Sequence, residues 1–247
     1  MKTNGSHKIG DEMKENFLGV DVCNQTYEQI TSSLLNDINQ HKKSFIVAIN
    51  PEKIMKAQED SDLRELLNKA DYQIPDGIGV IIASKLKGGK IRKRVTGIDM
   101  MLALCEAASK HGKSIFLYGA KPGRAEEAKG KLEERFPSIK IVGVLDGYVQ
   151  DEQIIEQTIN EANPDIIFVA KGSPAQEYWI LEHMHRLAPK VYQGVGGSFD
   201  VISGHIKRAP AFFQKLGLEW LYRLIKEPWR WKRQLLLPKF LIKAIKG

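Results

Sequence analysis

Along residues 27–195, short apolar runs alternate with longer segments in which apolar residues recur every three or four positions. The apolar runs predict six β-strands, and most are apolar throughout, as is typical of strands covered on both faces of a parallel sheet. The predicted strands are Ser44–Asn50, Tyr72–Pro75, Ser114–Gly119, Lys140–Leu145, Asp165–Ala170 and Val191–Val195.

Segments with the helical period separate these strands and predict six helices. Strands that alternate with helices of this length indicate βαβ units. The predicted fold class is therefore α/β, a Rossmann-like, doubly wound and mostly parallel sheet with helices on both faces. The predicted helices are Tyr27–Asn39, Leu63–Lys69, Met100–His111, Arg124–Phe136, Gln153–Ala162 and Gln176–Leu187.

The composition excludes several classes of protein. The 247 residues, 43% of them hydrophobic, are enough for one or two domains with a sizeable core. No run approaches about 18 consecutive apolar residues, so no transmembrane helix is expected, and residues 1–17 lack the apolar stretch of a signal peptide. Cys23 and Cys105 have neither metal-type nor redox-type spacing, which fits a reducing compartment. We expect a soluble protein of the cytoplasm.

The positive charge is concentrated at the C-terminal end. Residues 205–247 hold 11 Lys and Arg against 2 Asp and Glu, together with three of the four tryptophans, whereas the rest of the chain is close to neutral. Such a segment suits nucleic acid, an anionic membrane or a phosphorylated ligand. The shift predicts an α/β body over 13–204 and a basic, aromatic-rich helical appendage over 205–247. Residues 1–12 are expected to be a flexible or cloning-derived N-terminus.

Ligands bind such sheets beyond the carboxyl ends of the strands, so the residues that follow each strand are the candidates for chemistry. Asn50-Pro51-Glu52 follows the first strand and reads as a helix start capped by Asn50. Pro75-Asp76-Gly77 follows the second strand and is an ordinary turn sequence. A carboxylate at this position, however, can serve as a general base for a ligand in the crevice.

Later strand ends offer further candidates. Arg94 precedes a helix start that Thr96 or Asp99 is expected to cap, which would leave Arg94 solvated. The loop from Tyr118 to Arg124 would aim backbone N–H groups at a phosphate, although it matches neither the dinucleotide nor the P-loop fingerprint.

The ends of the last two strands carry an amide and a glycine cluster. Ser173 and Gln176 have the spacing of a capping box, and the amide of Gln176 can bind a sugar or a base. The segment Gly194-Val195-Gly196-Gly197-Ser198-Phe199-Asp200 has three glycines in four positions, which indicates unusual backbone angles or a closely approaching ligand.

The sequence shows no metal-binding motif. Asp60-Ser61-Asp62 imitates an Asp-x-Asp metal motif, but it lies in a polar stretch between helical patterns and is expected to be a solvated cap. His183 and His185 are two positions apart, so they face different sides of a helix.

Taken in order, the motifs resemble the WecG/TagA/CpsF glycosyltransferase family over about residues 17–233. The motifs that carry the resemblance are Asn50-Pro51-Glu52, Pro75-Asp76-Gly77-Ile78-Gly79, Arg94-x-x-Gly97-x-Asp99, Gly172-x-Pro174-x-Gln176-Glu177, Gly194-Val195-Gly196-Gly197-x-Phe199-Asp200, Arg208-Ala209-Pro210, Glu219-Trp220-Leu221-Tyr222-Arg223 and Glu227-Pro228-x-Arg230. The chain departs from the family at Ala48, where a threonine is common, and at Lys171, where a small or apolar residue is usual.

The resemblance implies an inverting, metal-independent enzyme without a cofactor. The implied reaction moves N-acetylmannosamine from UDP-N-acetylmannosamine to undecaprenyl-diphosphate-linked N-acetylglucosamine through a β-1,4 linkage, the committed step of wall teichoic acid synthesis. A family member that uses another UDP-sugar, carrying N-acetylmannosaminuronic acid or glucose, is the alternative. The partners are thus a UDP-sugar donor and a lipid-linked acceptor.

The resemblance also assigns roles to residues. Asp76 is the expected general base. The residues implied around the donor are Asn50, Arg94, Gln176, Gly196, Gly197 and Asp200, and those implied at the diphosphates are Arg223, Arg230 and Arg233. Pro228 is expected to break the basic stripe of the appendage into two short helices.

The last residues form a basic amphipathic pattern. Lys239, Lys243 and Lys246 recur at helical spacing and give one cationic face, while the apolar residues beside them are Phe240, Leu241, Ile242, Ala244 and Ile245. This pattern predicts a helix at an anionic lipid surface, and a helix packed on the body with its lysines extended into solvent would share it. We expect peripheral association with the inner face of the cell membrane, where docking orders the tail and completes the site.

Two other classes of protein fit parts of the sequence. A nucleic-acid-binding module would use the basic tail and bind DNA or RNA in a salt-sensitive way. That interpretation leaves the strand-end motifs unexplained, so no nucleic-acid partner is expected. A membrane scaffold without catalysis would differ from an enzyme in failing to bind UDP. Self-association in solution is expected to shelter the tail.

Overall fold

The computed structural model describes residues 13–231 and 235–246. The strands in this part of the chain are β1 (Lys14–Phe17), β2 (Val20–Cys23), β3 (Ser44–Ile49), β4 (Tyr72–Pro75), β5 (Ser114–Gly119), β6 (Lys140–Leu145), β7 (Ile166–Ala170) and β8 (Val191–Gly194). Six of them form one sheet in the order β4-β3-β8-β7-β5-β6, and all neighbours are parallel. All six predicted strands are confirmed, three of them with the expected bounds.

Helices cover both faces of the sheet, so the α/β prediction is confirmed. They are α1 (Tyr27–Asn39), α2 (Pro51–Lys56), α3 (Ser61–Lys69), α4 (Ile78–Leu86), α5 (Gly97–His111), α6 (Arg124–Arg135), α7 (Glu152–Ala162), α8 (Ala175–His183), α9 (Ser198–Ile202), α10 (Ala211–Lys215), α11 (Glu219–Lys226) and α12 (Leu236–Lys246). A 3₁₀ turn, Pro228–Arg230, follows α11, which confirms the break expected at Pro228.

Each face of the sheet carries its own hydrophobic core, and β3 shows the division. Phe45 and Val47 pack into the core that holds α2, α3, α4, α7 and α8, whereas Ile46 packs into the core that holds α1, α5 and α6. Successive side chains of a strand point to opposite faces, so an apolar run is what a strand between two cores requires.

The sequence patterns miss the antiparallel hairpin β1–β2. Its turn residues, Leu18 and Gly19, have φ values of 54° and 83°. These angles suit the tight turns that connect two short antiparallel strands. Leucine is an uncommon residue at such an angle, so the turn carries no recognisable sequence signal.

Helix α4 is also absent from the prediction, because its sequence is apolar on nearly every side and has no amphipathic period. Gly79 explains how it packs. A Cβ atom at Gly79 would lie 2.4 Å from Leu237 Cδ1 and 2.6 Å from Pro51 Cγ. The missing side chain therefore lets α2, α4 and α12 meet closely.

The predicted helix over Gln176–Leu187 is too long, since α8 ends at His183. The carbonyl oxygens of Met184 and Leu187 have partners outside the helix. The Lys43 ammonium group and the Tyr192 hydroxyl both donate to them. These bonds replace the helical ones and stabilise the turn.

The appendage returns to the body through α12. Phe240 and Ala244 are fully buried in the core that α2 and α4 share, and the Phe240 ring lies 6.3 Å from that of Phe17. Within the described residues, no helix has the length and apolar character needed to cross a membrane.

Candidate active site

The carboxyl ends of the six parallel strands meet at one edge of the sheet, and this edge collects the predicted site residues of the body. Asp76 follows β4, Asn50 follows β3, and the glycine loop of Gly196 and Gly197 follows β8. Strands lie about 4.8 Å apart, so β4 and β8 are separated by about 10 Å. The edge therefore holds a carboxylate at one end and a glycine-lined loop two strands away.

Asp76 is partly buried beside the start of α5. Its Oδ2 atom accepts a hydrogen bond of 3.2 Å from the Gly97 backbone N–H. Burial raises the pKa of Asp76, and the nearby Glu219 carboxylate adds to the increase. The Gly97 hydrogen bond and the charges of Arg94 and Arg223 oppose it without cancelling it.

Asn50 takes the structural role that its motif predicts. Its Oδ1 atom accepts a 2.9 Å hydrogen bond from the Lys53 backbone N–H and caps α2. A Cβ atom at Gly77 would lie 3.5 Å from Asn50 Cβ, so the turn after Asp76 packs against this cap. The Asn50 side chain remains partly exposed at the edge.

The capping box expected for Ser173 and Gln176 is wrong, since α8 begins after Pro174 without a side-chain cap. Gln176 Oε1 instead accepts the Gly196 N–H at 2.9 Å, and its amide N–H donates to Glu177. A Cβ atom at Gly194 would lie 2.5 Å from Gln176 Nε2. Gln176 thus fixes the glycine loop, and Gly194 leaves the space for it to do so.

A buried ion pair that the motifs do not reveal connects two strand ends. The Lys53 ammonium group lies 2.7 Å from Glu177 Oε1, and both side chains are almost fully buried. The contact joins the first turn of α2 to the first turn of α8. It therefore links the strand end that carries Asn50 to the one that carries Gln176.

A cleft of about 340 Å³ opens at the carboxyl ends of β5, β6, β7 and β8. Its lining residues are Ala120, Lys121, Gly147, Tyr148, Ala170, Lys171, Gly172, Gly196, Gly197 and Asp200. Asp200 forms an ion pair of 3.4 Å with Arg124 at the start of α6. Gly196, Gly197 and Asp200, three of the six residues implied around the donor, therefore share one cleft.

Lys171, one of the two departures from the family pattern, supplies a cation to this cleft. Its ammonium group donates a 2.8 Å hydrogen bond to the Tyr118 hydroxyl and lies 5.0 Å from the centre of that ring. It also lies 5.9 Å from the centre of the Trp179 ring. The aromatic faces stabilise the charge and leave ammonium hydrogens for an anionic ligand.

The expectation that the Arg94 side chain is solvated is wrong. Arg94 forms an ion pair with Glu219, the first residue of α11. Glu219 also lies 3.2 Å from Arg208, which makes two bonds of 2.7 Å to the Asp99 carboxylate. Thr96 caps α5, as one of the two alternatives predicts. The pairing contacts lower the pKa of Asp99 although burial opposes them, and they raise the pKa of Arg208.

The predicted residues of the appendage have mixed outcomes. Arg223 is exposed on α11, and its charge acts on Asp76. Arg230 lies in the 3₁₀ turn, while Arg233 lies outside the described residues. The lysines of α12, Lys239, Lys243 and Lys246, are exposed as expected. Phe240 and Ala244 are buried in the body, which corrects the expectation that they face lipid.

The described residues contain no cluster of three or more His, Cys, Asp and Glu side chains that could hold a metal ion. Asp60, part of the imitated metal motif, caps α3 through a 2.9 Å bond to the Leu63 N–H, as predicted. His183 lies against Trp179 with its ring stacked, and its Nδ1 atom bonds the Trp179 carbonyl oxygen.

Comparison with known proteins adds a family and two relatives. Residues 15–247 match the model of the glycosyl transferase WecG/TagA/CpsF family. The chain is 43% identical over 209 residues to an N-acetylglucosaminyldiphosphoundecaprenol N-acetyl-beta-D-mannosaminyltransferase of Bacillus subtilis (strain 168), covering 85% of this chain and 82% of the relative. The protein of the same name from Bacillus spizizenii (strain ATCC 23059 / NRRL B-14472 / W23) is 41% identical over 209 residues, covering 85% of this chain and 81% of that protein.

Proposed function

The chain belongs to the WecG/TagA/CpsF glycosyltransferase family, and on that premise we propose that it transfers N-acetyl-β-D-mannosamine to N-acetylglucosaminyl-diphosphoundecaprenol. The names of two relatives above 40% identity support this acceptor and this sugar. The observation that carries the proposal is the partly buried Asp76 carboxylate at the carboxyl edge of the sheet, on which the positive charges of Arg94 and Arg223 act.

In the proposed reaction, Asp76 takes the proton from the acceptor hydroxyl at C4 while that oxygen attacks C1 of the donor sugar. The bond between C1 and the diphosphate oxygen breaks, and UDP leaves with the bonding electron pair. The attack comes from the face opposite UDP, so one displacement inverts the configuration at C1. A base whose pKa is raised towards the working pH holds the transferred proton better than an exposed carboxylate does.

The donor would lie along the edge from the cleft to Asp76. Its nucleotide fits the cleft, where Gly196 and Gly197 permit close approach of the ligand to the backbone and Lys171 supplies a cation. Its diphosphate would then meet Arg94 and Arg223. Guanidinium groups stabilise the charge that develops on a leaving diphosphate, so these side chains can replace the metal ion used by other transferases.

A peripheral contact with the membrane would bring the enzyme to its lipid-linked acceptor. Trp229 is 72% exposed and Ile242 is 57% exposed, and Ile245 lies on the same helix as the lysines of α12. Exposed apolar side chains beside lysines suit the boundary between anionic headgroups and acyl chains. We place this contact on the inner face of the cell membrane, where UDP-sugars are available.

A transfer assay with matched donors tests the reaction. The measurement is UDP release with a soluble, short-chain N-acetylglucosaminyl-diphospholipid, comparing UDP-N-acetylmannosamine with UDP-N-acetylmannosaminuronic acid, UDP-glucose and UDP-N-acetylglucosamine. The proposal expects acceptor-dependent release only with UDP-N-acetylmannosamine, a β-1,4 product, and unchanged rates in EDTA. Preference for another UDP-sugar would retain the family and reject the donor, and loss of turnover in EDTA would reject metal independence.

A vesicle assay tests the membrane contact separately. Co-sedimentation with vesicles that contain phosphatidylglycerol should exceed that with phosphatidylcholine alone and fall as salt is added. Replacing Ile242 and Ile245 with serine should weaken it, whereas Val142→Ser, an exposed position on β6, should not. Equal binding by all three proteins would reject α12 as the contact.

A further inference from the structure

Four charged side chains join the appendage to the body, and we define them as the latch: Arg94, Asp99, Arg208 and Glu219. Arg94 and Asp99 flank the start of α5, whereas Arg208 and Glu219 belong to the appendage. The contacts run without interruption from Arg94 to Glu219, from Glu219 to Arg208, and from Arg208 to Asp99. Two guanidinium groups thus alternate with two carboxylates.

The latch contrasts with the way in which α12 is held. Helix α12 buries Phe240 and Ala244 in the core, but no residue of α11 is fully buried. Gly217, just before α11, packs on α4, where a Cβ atom would lie 3.1 Å from Ile78. That contact fixes where α11 begins, and within the appendage the Tyr222 ring lies 5.6 Å from that of Phe213. Glu219 adds two directional contacts between α11 and the charged residues around the site, one to Arg94 and one to Arg208.

The spacing along α11 relates the latch to Asp76. Glu219 and Arg223 are four residues apart, so they lie on the same face of the helix. Seating Glu219 on Arg94 and Arg208 therefore turns Arg223 to the same side. The charges of both residues act on Asp76 in this arrangement.

We propose that Glu219 is a positioning residue: through Arg94 and Arg208 it holds α11 over the strand ends, and so places Arg223 beside Asp76. The inference rests on the proposed function for its consequence in catalysis, because Arg223 would meet the donor diphosphate there. How α11 is attached to the body does not depend on the proposed function. Glu219 itself need not contact substrate.

Hydrogen exchange of the full-length chain without ligand tests the attachment. Glu219→Ala should speed exchange of the α11 amides by about tenfold or more, because α11 has no fully buried residue to hold it once the two ion pairs are lost. Glu219→Gln, which keeps an acceptor oxygen without the charge, should have a smaller effect. Amides of β3 and β5 report whether the fold persists, and they should not change in either variant.

The matched control is Glu106→Ala. Glu106 forms an ion pair with Lys110 on the exposed side of α5, so the variant also removes one carboxylate from an ion pair. It should leave α11 exchange unchanged. Exchange of α11 within twofold of the unsubstituted protein in Glu219→Ala would overturn the proposal.

The pH dependence of transfer supplies a readout that a merely structural role would not move. The charged groups acting on Asp76 are Arg94 before α5 and Glu219 and Arg223 on α11, and the Gly97 N–H donates to it. In Glu219→Gln, which removes the charge but keeps an acceptor oxygen for the latch, the acidic limb of kcat/KM should move to lower pH, because the Glu219 carboxylate raises the pKa of Asp76. If the unsubstituted protein has no transferase activity, the proposed function fails while the exchange result still decides the latch. If transfer is normal and neither readout changes, the latch is wrong and the function stands.

Discussion

Replacing Asp76 with asparagine separates a role in catalysis from a role in folding. Asparagine keeps an oxygen that can accept the Gly97 N–H, so the contact at the start of α5 survives the change. Because burial raises the pKa of Asp76, the ionised carboxylate costs stability in the folded protein. The variant removes that cost. We therefore expect its melting temperature at pH 7 to equal or exceed that of the unsubstituted protein.

The pH range over which Asp76 affects stability follows from the direction of its pKa shift. A carboxyl whose folded pKa is raised stabilises the protein fully below its ordinary value of 3.8. That stability is lost as the pH rises through the folded pKa. The difference in melting temperature between the two proteins should therefore shrink towards zero as the pH falls below 3.8. Each unit of raised pKa corresponds to about 1.4 kcal/mol at higher pH.

Asp76→Asn should lower transferase activity, although it leaves stability equal or higher. A positioned general base contributes about 10²–10⁴-fold to the rate, which is about 3–5 kcal/mol of activation free energy. The assay is UDP release with saturating donor and acceptor. Asp71→Asn is the matched control: burial also raises the pKa of Asp71, and its carboxylate accepts the Phe45 N–H at 2.9 Å. Asp71 precedes β4 and Asp76 follows it, which separates them by about 16 Å.

Asp71→Asn should retain transfer, and Asp76→Asn should lose it without losing stability. Retained turnover in Asp76→Asn would refute the assignment of the base even if the reaction is correct. A melting temperature several degrees below that of the unsubstituted protein would refute the argument from burial, and the activity loss could then be structural.

Three further predictions concern the site and the appendage. Phe240→Ala should destabilise the protein by about 3–5 kcal/mol, lowering the melting temperature by about 6–20 °C, whereas Ile242→Ala on the exposed side of α12 should change it little. Gly194→Ala should lower transfer and UDP affinity, because its Cβ would displace the Gln176 amide that holds Gly196. Calorimetric titration with UDP measures the affinity, and an unchanged value would contradict this prediction. Lys171→Met should weaken UDP binding by about tenfold, whereas Lys131→Met on α6, outside the cleft, should not.

The strands and their polar ends were predictable because both follow from one physical constraint. A strand between two cores must be apolar on both faces, and β7, all of whose residues are buried, gives the strongest signal of this kind. Parallel strands then bring their carboxyl ends to one edge, so Asn50, Asp76 and the glycine loop had to lie there. Helix α4 and the β1–β2 hairpin were not predicted, because α4 has no amphipathic period and the hairpin lacks recognisable turn residues.

The partners of the site residues were beyond prediction because they join distant parts of the chain. Lys53 and Glu177 are 124 residues apart, and Arg94 and Glu219 are 125 apart. Periodicity reports the neighbours of a residue along one element and carries no information about such pairs. The local sequence therefore predicted a solvated Arg94 side chain, although Arg94 forms an ion pair with Glu219 of the appendage.

The appendage is attached by two different kinds of contact, and this decides how its role can be tested. Deletion of residues 205–247 would remove Phe240 from the core and expose Phe17, which its ring approaches. Loss of activity after such a deletion would therefore not separate catalysis from stability. Helix α11 contributes no fully buried residue, so changes at Glu219 or Arg223 alter the site without opening the core. Those two positions, rather than truncation, isolate what the appendage does for Asp76.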